Sequence, residues 1–204
     1  MQTEVENNEY LEQQRKGRLM LLCMLIFFIT PIIAVIAMYK MDWRPKGESI
    51  GELVVPARQL TMNYALMSSD GSVIEPDLWK DKWSMVYIAD NCEAACKAKL
   101  HNIRQLHVSL YKEIPRMQRV LITTSQDVKQ IKQDYPDMLV LNQPATEITA
   151  LSDQFNMNNE SSMTADRIYL VDPLGHFMMS YAPTTDSALI RKDITRLMRY
   201  SWAG

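Results

Sequence analysis

The alternation of apolar and polar positions divides the chain into an anchor and a globular part. Residues 1–18 are polar and mixed in charge, closing on Arg15-Lys16-Gly17-Arg18. From Leu19 to Tyr39 no charged residue occurs. As a helix this run is roughly 30 Å long, enough to cross the hydrocarbon core of a bilayer. It is too long for the core of a signal peptide, and no small-x-small cleavage site follows it. Pro31 is expected to kink it, which membrane helices tolerate. The pattern therefore predicts a tail over 1–18, an uncleaved transmembrane helix over 19–39, a linker over 40–52 and a globular domain over 53–204. The linker carries Trp43, Pro45 and Gly47.

In the globular part the period switches repeatedly between strand and helix. Residues 56–66 read as an irregular lead-in or a strand. Asp70-Gly71 between apolar flanks is a hairpin signal. Pro76 to Trp79 reads as one helical turn. Trp83 to Ala89 is a buried-type strand. A helix from Cys92 to about Tyr111 repeats Leu100, Ile103, Leu106 and Leu110 at helical spacing. Strands follow over 120–123 and 138–141. Helices are expected from Ser125, as N-cap, through Gln133 and over 146–155. Arg167 to Val171 is a strand that Asp172-Pro173-Leu174-Gly175 turns into 176–181. Thr184-Thr185-Asp186 caps a last helix that ends near Tyr200. Strand and helix in alternation predict an α/β domain, a central sheet flanked by helices on both faces. A right-handed crossover through the Cys92–Tyr111 helix makes the first two strands of that alternation parallel.

Composition narrows the chemistry. The formal net charge is -2, which gives no reason to expect nucleic-acid binding. Methionine is abundant at 15 residues, glycine scarce at 6. Methionines fill gaps in cores and spans, and as thioethers they also suit soft metals. No nucleotide loop, Ser/His/Asp set or zinc-protease motif is present. Cys23 lies within the apolar run as a small apolar residue.

The remaining chemical signal is Asp90-Asn91-Cys92-Glu93-Ala94-Ala95-Cys96, at a junction of strand and helix. Residues i and i+4 share a helix face, so both thiols can point to one spot. They can share a soft metal such as Cu(I), close a small disulfide, or be a plain structural pair. A helix start, with Asn91 as the candidate N-cap, favours thiolate, the nucleophilic and metal-binding form. In open α/β sheets the C-terminal ends of strands are where sites form. Lys and Arg flank the apolar run equally, with Arg15, Lys16 and Arg18 before it and Lys40, Arg44 and Lys46 after it. Charge alone does not orient it. The cysteine pair favours a cytoplasmic N-terminus and a periplasmic domain in a bacterial inner membrane, because exported compartments support thiol–disulfide chemistry.

The cysteine pair after the first strand of the alternation, with Tyr169-Leu170-Val171-Asp172-Pro173-Leu174-Gly175 near the end, resembles a thioredoxin fold. More narrowly, the sequence resembles the membrane-anchored Sco/SenC family of cytochrome oxidase assembly proteins. The anchor, Asp70-Gly71, Lys82-Trp83 and Cys92-x-x-x-Cys96 carry the likeness, over roughly residues 48–200. The resemblance implies copper handling or thiol redox work on the CuA site of a haem–copper oxidase. It implies oxidase subunit II or other assembly factors as partners, beside membrane lipid. In that family two cysteines and a distal histidine bind copper. Here Ser161-Ser162-Met163-Thr164-Ala165-Asp166 stands where the histidine is expected, and Lys97 replaces the proline that follows the second cysteine. Met163 is then the candidate third, soft ligand.

His101 and His107 are expected as surface or partly buried residues of the Cys-bearing helix, and His176 as a hairpin-tip residue. Three functions follow. In the first, Cys92 and Cys96 bind copper for oxidase assembly. In the second they are the redox pair of a thiol–disulfide oxidoreductase, Cys92 the more exposed, attacking thiol and Cys96 the resolving one. In the third they form a structural disulfide in a non-catalytic accessory protein.

Overall fold

A computed structural model of the chain describes residues 2–41, 49–62, 66–68, 71–75, 77–126 and 128–201. The chain divides into two compact units, Met1–Glu48 and Ser49–Gly204. Among its described residues the first holds one helix, α1, Gln2–Lys40. It takes in the polar tail as well as the apolar run and continues through Pro31. Its segment Arg15–Lys40 is long and apolar enough to cross a membrane, and none of it is buried. Thr30 turns its hydroxyl onto the carbonyl of Ile26 at 2.6 Å. That internal bond leaves no hydroxyl to be satisfied by lipid.

The second unit is built on an eight-stranded sheet, in the order β1-β8-β7-β4-β5-β6-β2-β3. The strands are β1 Glu52–Gln59, β2 Leu66–Ser68, β3 Val73–Ile74, β4 Trp83–Ala89, β5 Met117–Thr123, β6 Leu139–Gln143, β7 Ile168–Val171 and β8 His176–Tyr181. β4, β5 and β6 run parallel, with Val86 opposite Val120 and Val120 opposite Leu139. β7 lies antiparallel on the other side of β4. The helices are α2 Ala94–Val108, α3 Lys129–Asp134, α4 Ala145–Asp153 and α5 Ser187–Tyr200, with a 3-10 helix over Tyr111–Arg116.

β4 is buried at every residue. A parallel centre covered on both faces has no solvent side, so its sequence is an apolar run rather than an alternation. One face packs on α2, α3 and α5 through Tyr87, Leu100, Ile103, Leu121, Ile131, Ile190 and Ile194. The other packs on α4 through Val86, Val120, Ile148, Leu151, Phe155 and Phe177. The α/β arrangement expected from the alternation is the one found. Several local expectations are corrected. Residues 77–81 form a turn rather than a helical turn. The helix after β5 starts at Lys129, not after Ser125. Residues 52–59 are an edge strand, antiparallel to β8. The hairpin expected at Asp70-Gly71 is the β2–β3 pair; Asp70 lies outside the described residues, and Gly71 takes a φ of 81° that suits glycine.

Tyr87, Tyr169 and Tyr181 are buried in this sheet, and burial is the main cause that raises the pKa of each; for Tyr169 it reaches about 12. A phenol whose folded pKa is raised adds stability below its unfolded value of 10.0, and that stability is lost as pH rises above it. Alkaline titration is expected to unfold the domain progressively above about pH 10. Replacing Tyr169 with Phe should flatten that limb, as read by circular dichroism against pH. An unchanged slope would remove Tyr169 from the account.

Candidate functional site

The cysteines sit where β4 hands over to α2. β4 ends at Ala89, the chain turns through Asp90 and Asn91, and Cys92 precedes the helix. The N-cap is Glu93, with no side-chain cap bond, and Asn91 instead donates its amide to the Glu93 carboxylate at 2.9 Å. Asn91 therefore lies two residues too early to cap. The expectation of two thiols on one helix face is corrected too. Cys92 lies ahead of the helix, while Cys96 lies in its first turn.

The two are nonetheless joined as a disulfide, with Cα atoms 4.9 Å apart. Their exposures are 7% and 4%, so burial does not single out Cys92 as the open thiol. The bridge packs on the α2 face of the sheet with Tyr87, Ala89, Leu100 and Leu121. Closing so short a loop removes only about 2 kcal/mol of unfolded-chain entropy. The sheet's core far exceeds that contribution, so the bridge is poorly suited to be a staple.

Backbone and side-chain bonds fix the surrounding loops. The Asp90 amide donates to the Met163 carbonyl at 3.4 Å. The Asp90 carbonyl accepts from Thr124 Oγ1 at 2.8 Å and Thr123 Oγ1 at 3.3 Å, and Thr124 also donates to the Asp90 carboxylate. Asp166, in the loop before β7, accepts from the Tyr87 hydroxyl at 2.7 Å and pairs with Lys99 Nζ at 3.2 Å. Its φ of 50° is left-handed, a conformation aspartate tolerates. One carboxylate thus ties β4, α2 and the 161–166 loop together beside the disulfide. The sequence singled out that loop for its missing histidine and for Met163, not for Asp166. Tyr87 and Asp166 carried no recognisable motif, because they meet only when β7 pairs with β4.

The candidate ligands are partly brought together. Cys92 and Cys96 converge; Met163 arrives by its carbonyl, while its half-buried side chain packs on the opposite, α4-side cluster. The histidines lie apart from the pair. His101 is exposed and bonds Gln105 at 2.8 Å. His107 is buried against the Met117 carbonyl at 3.0 Å, and burial lowers its pKa. His176 closes the β7–β8 turn on Asp172 at 3.0 Å. Among the described residues no group of three or more His, Cys, Asp or Glu side chains is placed to hold a metal. The donor set present is two sulfurs, which once reduced fit a soft, low-coordinate ion and not a three-ligand site containing histidine.

The family described as "Transmembrane-like, thioredoxin-like, C-terminal domain" matches residues 83–201. No curated protein matches in sequence. Among solved structures, copper-bound yeast Sco1 superposes with a TM-score of 0.58 at 20% identity, covering 70% of this chain and 94% of that one. A SCO1/SenC family lipoprotein from Bacillus anthracis gives 0.54 at 19%, covering 70% and 98%. BsSco gives 0.52 at 16%, covering 71% and 96%. At these identities the likeness establishes a shared fold. The chain belongs to the transmembrane-like, thioredoxin-like C-terminal domain family, and its fold is that of the Sco/SenC proteins.

Proposed function

We propose that this protein is a membrane-anchored assembly factor for a haem–copper cytochrome c oxidase, acting on copper or on the thiol state of the CuA site through Cys92 and Cys96. The observation that carries it is the Cys92–Cys96 bridge at the C-terminal end of β4 in a Sco-type fold. BsSco is a member of the Sco family of cytochrome c oxidase assembly proteins with a disulfide switch, and yeast Sco1 has a copper-bound form. α1 anchors the chain over residues 19–39, with residues 1–18 cytoplasmic and the domain in the periplasm, where the bridge is stable; the domain begins at Ser49, four residues earlier than the boundary expected from the sequence.

Copper is cargo in this reading. Reduction opens the bridge to two thiols, which lose protons to bind Cu(I) as thiolates. Oxidase subunit II is the recipient, and Met163 supplies a third sulfur only if its side chain leaves the α4-side cluster.

The short, non-staple bridge and the two-sulfur donor set favour a second reading, thiol–disulfide exchange with an exported client. A reduced Cys92 thiolate attacks a client disulfide, forming a mixed disulfide and releasing one client thiolate. Cys96 then attacks Cys92, re-forming the bridge and releasing the second. The client gains the two electrons that the pair loses.

Anaerobic Cu(I) titration of the reduced full chain in detergent separates the readings. Stoichiometric binding, lost in Cys92→Ser and in Cys96→Ser, is expected for the first. Absence of binding with a reversible couple on the order of -200 to -300 mV supports the second. If the double serine variant sustains full oxidase activity in cells, the first reading falls; if it also leaves the thiol state of exported proteins unchanged, the second falls and the bridge is structural.

A further inference from the structure

Exposed cations gather on the outer surfaces of α2 and α5. α2 has no Asp or Glu anywhere in its length. α5 has only Asp193, which is buried. Their outer surfaces carry Lys97, Arg104, Arg191, Lys192, Arg196 and Arg199, all exposed. Lys192, Arg196 and Arg199 recur at helical spacing, opposite the buried Ile190, Ile194 and Met198. On the α4 side charges are mixed and engaged: Arg167 pairs with Glu160 at 3.1 Å, and Arg58 donates to the Asn156 carbonyl at 3.1 Å. A net charge of -2 therefore conceals one basic surface.

Exposed apolar groups flank the cations. Tyr200 is 79% exposed and Tyr111 76%. The 3-10 helix that carries Tyr111 is bonded to the end of α5, since Arg116 donates to the Met198 carbonyl at 3.1 Å and the Ser201 carbonyl at 3.2 Å. Cations beside exposed aromatic rings match the interfacial layer of a bilayer, where headgroups take the charge and rings lie at their level.

We propose that the α2–α5 face docks on anionic lipid headgroups of the membrane that holds the anchor. The inference rests on the reading of α1 as that anchor. Ser49 follows Lys40 by only nine residues, so the tether is short whatever its conformation. Tethering at that range turns several individually weak phosphate contacts into a persistent one. An acidic protein offers the same charge, but neither the tether nor the apolar flank selects it.

The test reconstitutes the full chain in nanodiscs of phosphatidylcholine, alone or mixed with phosphatidylglycerol, and follows lysine acetylation by mass spectrometry. Lys97 and Lys192 should react about threefold or more slowly in the anionic discs, and raised salt should restore their rates. Lys80 and Lys82, exposed elsewhere, should react equally in both. Charge reversal of the exposed Lys192, Arg196 and Arg199 to Glu should restore the rate at Lys97. Equal rates in both discs overturn the proposal. So does protection that appears in neutral discs only when an acidic protein is added. Incorporation into neutral discs reports on the anchor by itself, so its failure is distinguishable from failure of docking.

Discussion

Replacing Phe155 with Ala is expected to lower the unfolding free energy by about 3–5 kcal/mol. Phe155 has no exposed surface. It follows α4 and places its ring 5.1 Å from that of Phe177, 5.3 Å from Tyr169 and 6.4 Å from Trp79. One side chain therefore joins α4, the β7–β8 hairpin and the turn that leads into β4. Its removal costs the transfer of a large ring and opens a cavity that three anchored aromatics cannot close. Phe155→Leu keeps much of the volume and should cost about half as much. Urea unfolding followed by circular dichroism measures both. A loss below about 1 kcal/mol for the alanine variant would mean that the α4-side cluster is not the core it resembles.

Asp193→Ala should cost about 2–4 kcal/mol. Asp193 is 6% exposed and accepts from the Gly51 amide at 3.2 Å, Ser49 Oγ at 3.2 Å and the Tyr181 hydroxyl at 3.3 Å. Alanine leaves the amide and phenol buried without an acceptor, and each such orphan carries a desolvation cost. The three bonds hold the entry to β1 against α5. Space there is already filled: a Cβ on Gly51 would lie 2.5 Å from Met179 Cγ and 2.8 Å from Tyr181 Cε1. Asp193→Asn retains an acceptor and should lose less. In a double-mutant cycle with Tyr181→Phe, a coupling near zero would show that the phenol does not depend on Asp193.

Legibility varied with the range of the interaction involved. The β4 run, the β7–β8 turn and the inner face of α5 were readable because strand period, turn residues and helical spacing are local. Asp186 was readable as a cap for the same reason, and it accepts from the Ala188 amide at 2.6 Å. Cap placement at α2 was misread by two residues: Asn91 is the residue type that caps, but the backbone turns helical only after Glu93, which makes no side-chain cap bond. The edge strand β1 was ambiguous because its partner β8 lies more than a hundred residues away in the chain. Buried Arg119 was not anticipated at all. A cation in an otherwise apolar strand signals exposure, yet it pairs with Asp137 at 2.5 Å and stacks 5.9 Å over Tyr135, both brought to it by the chain between β5 and β6.

By itself the sequence determined the apolar helix, the α/β alternation and the position of two cysteines after a strand, because each depends on residues near one another in the chain. Tertiary structure decided that the thiols are buried and bridged and that Met163 faces the far cluster. It also decided that Asp166 links β4 to α2 and that the basic residues of α2 and α5 share one surface. Each of these depends on which strands pair and which helices share a face. No local pattern encodes that choice; it is set by the burial of the whole sheet at once.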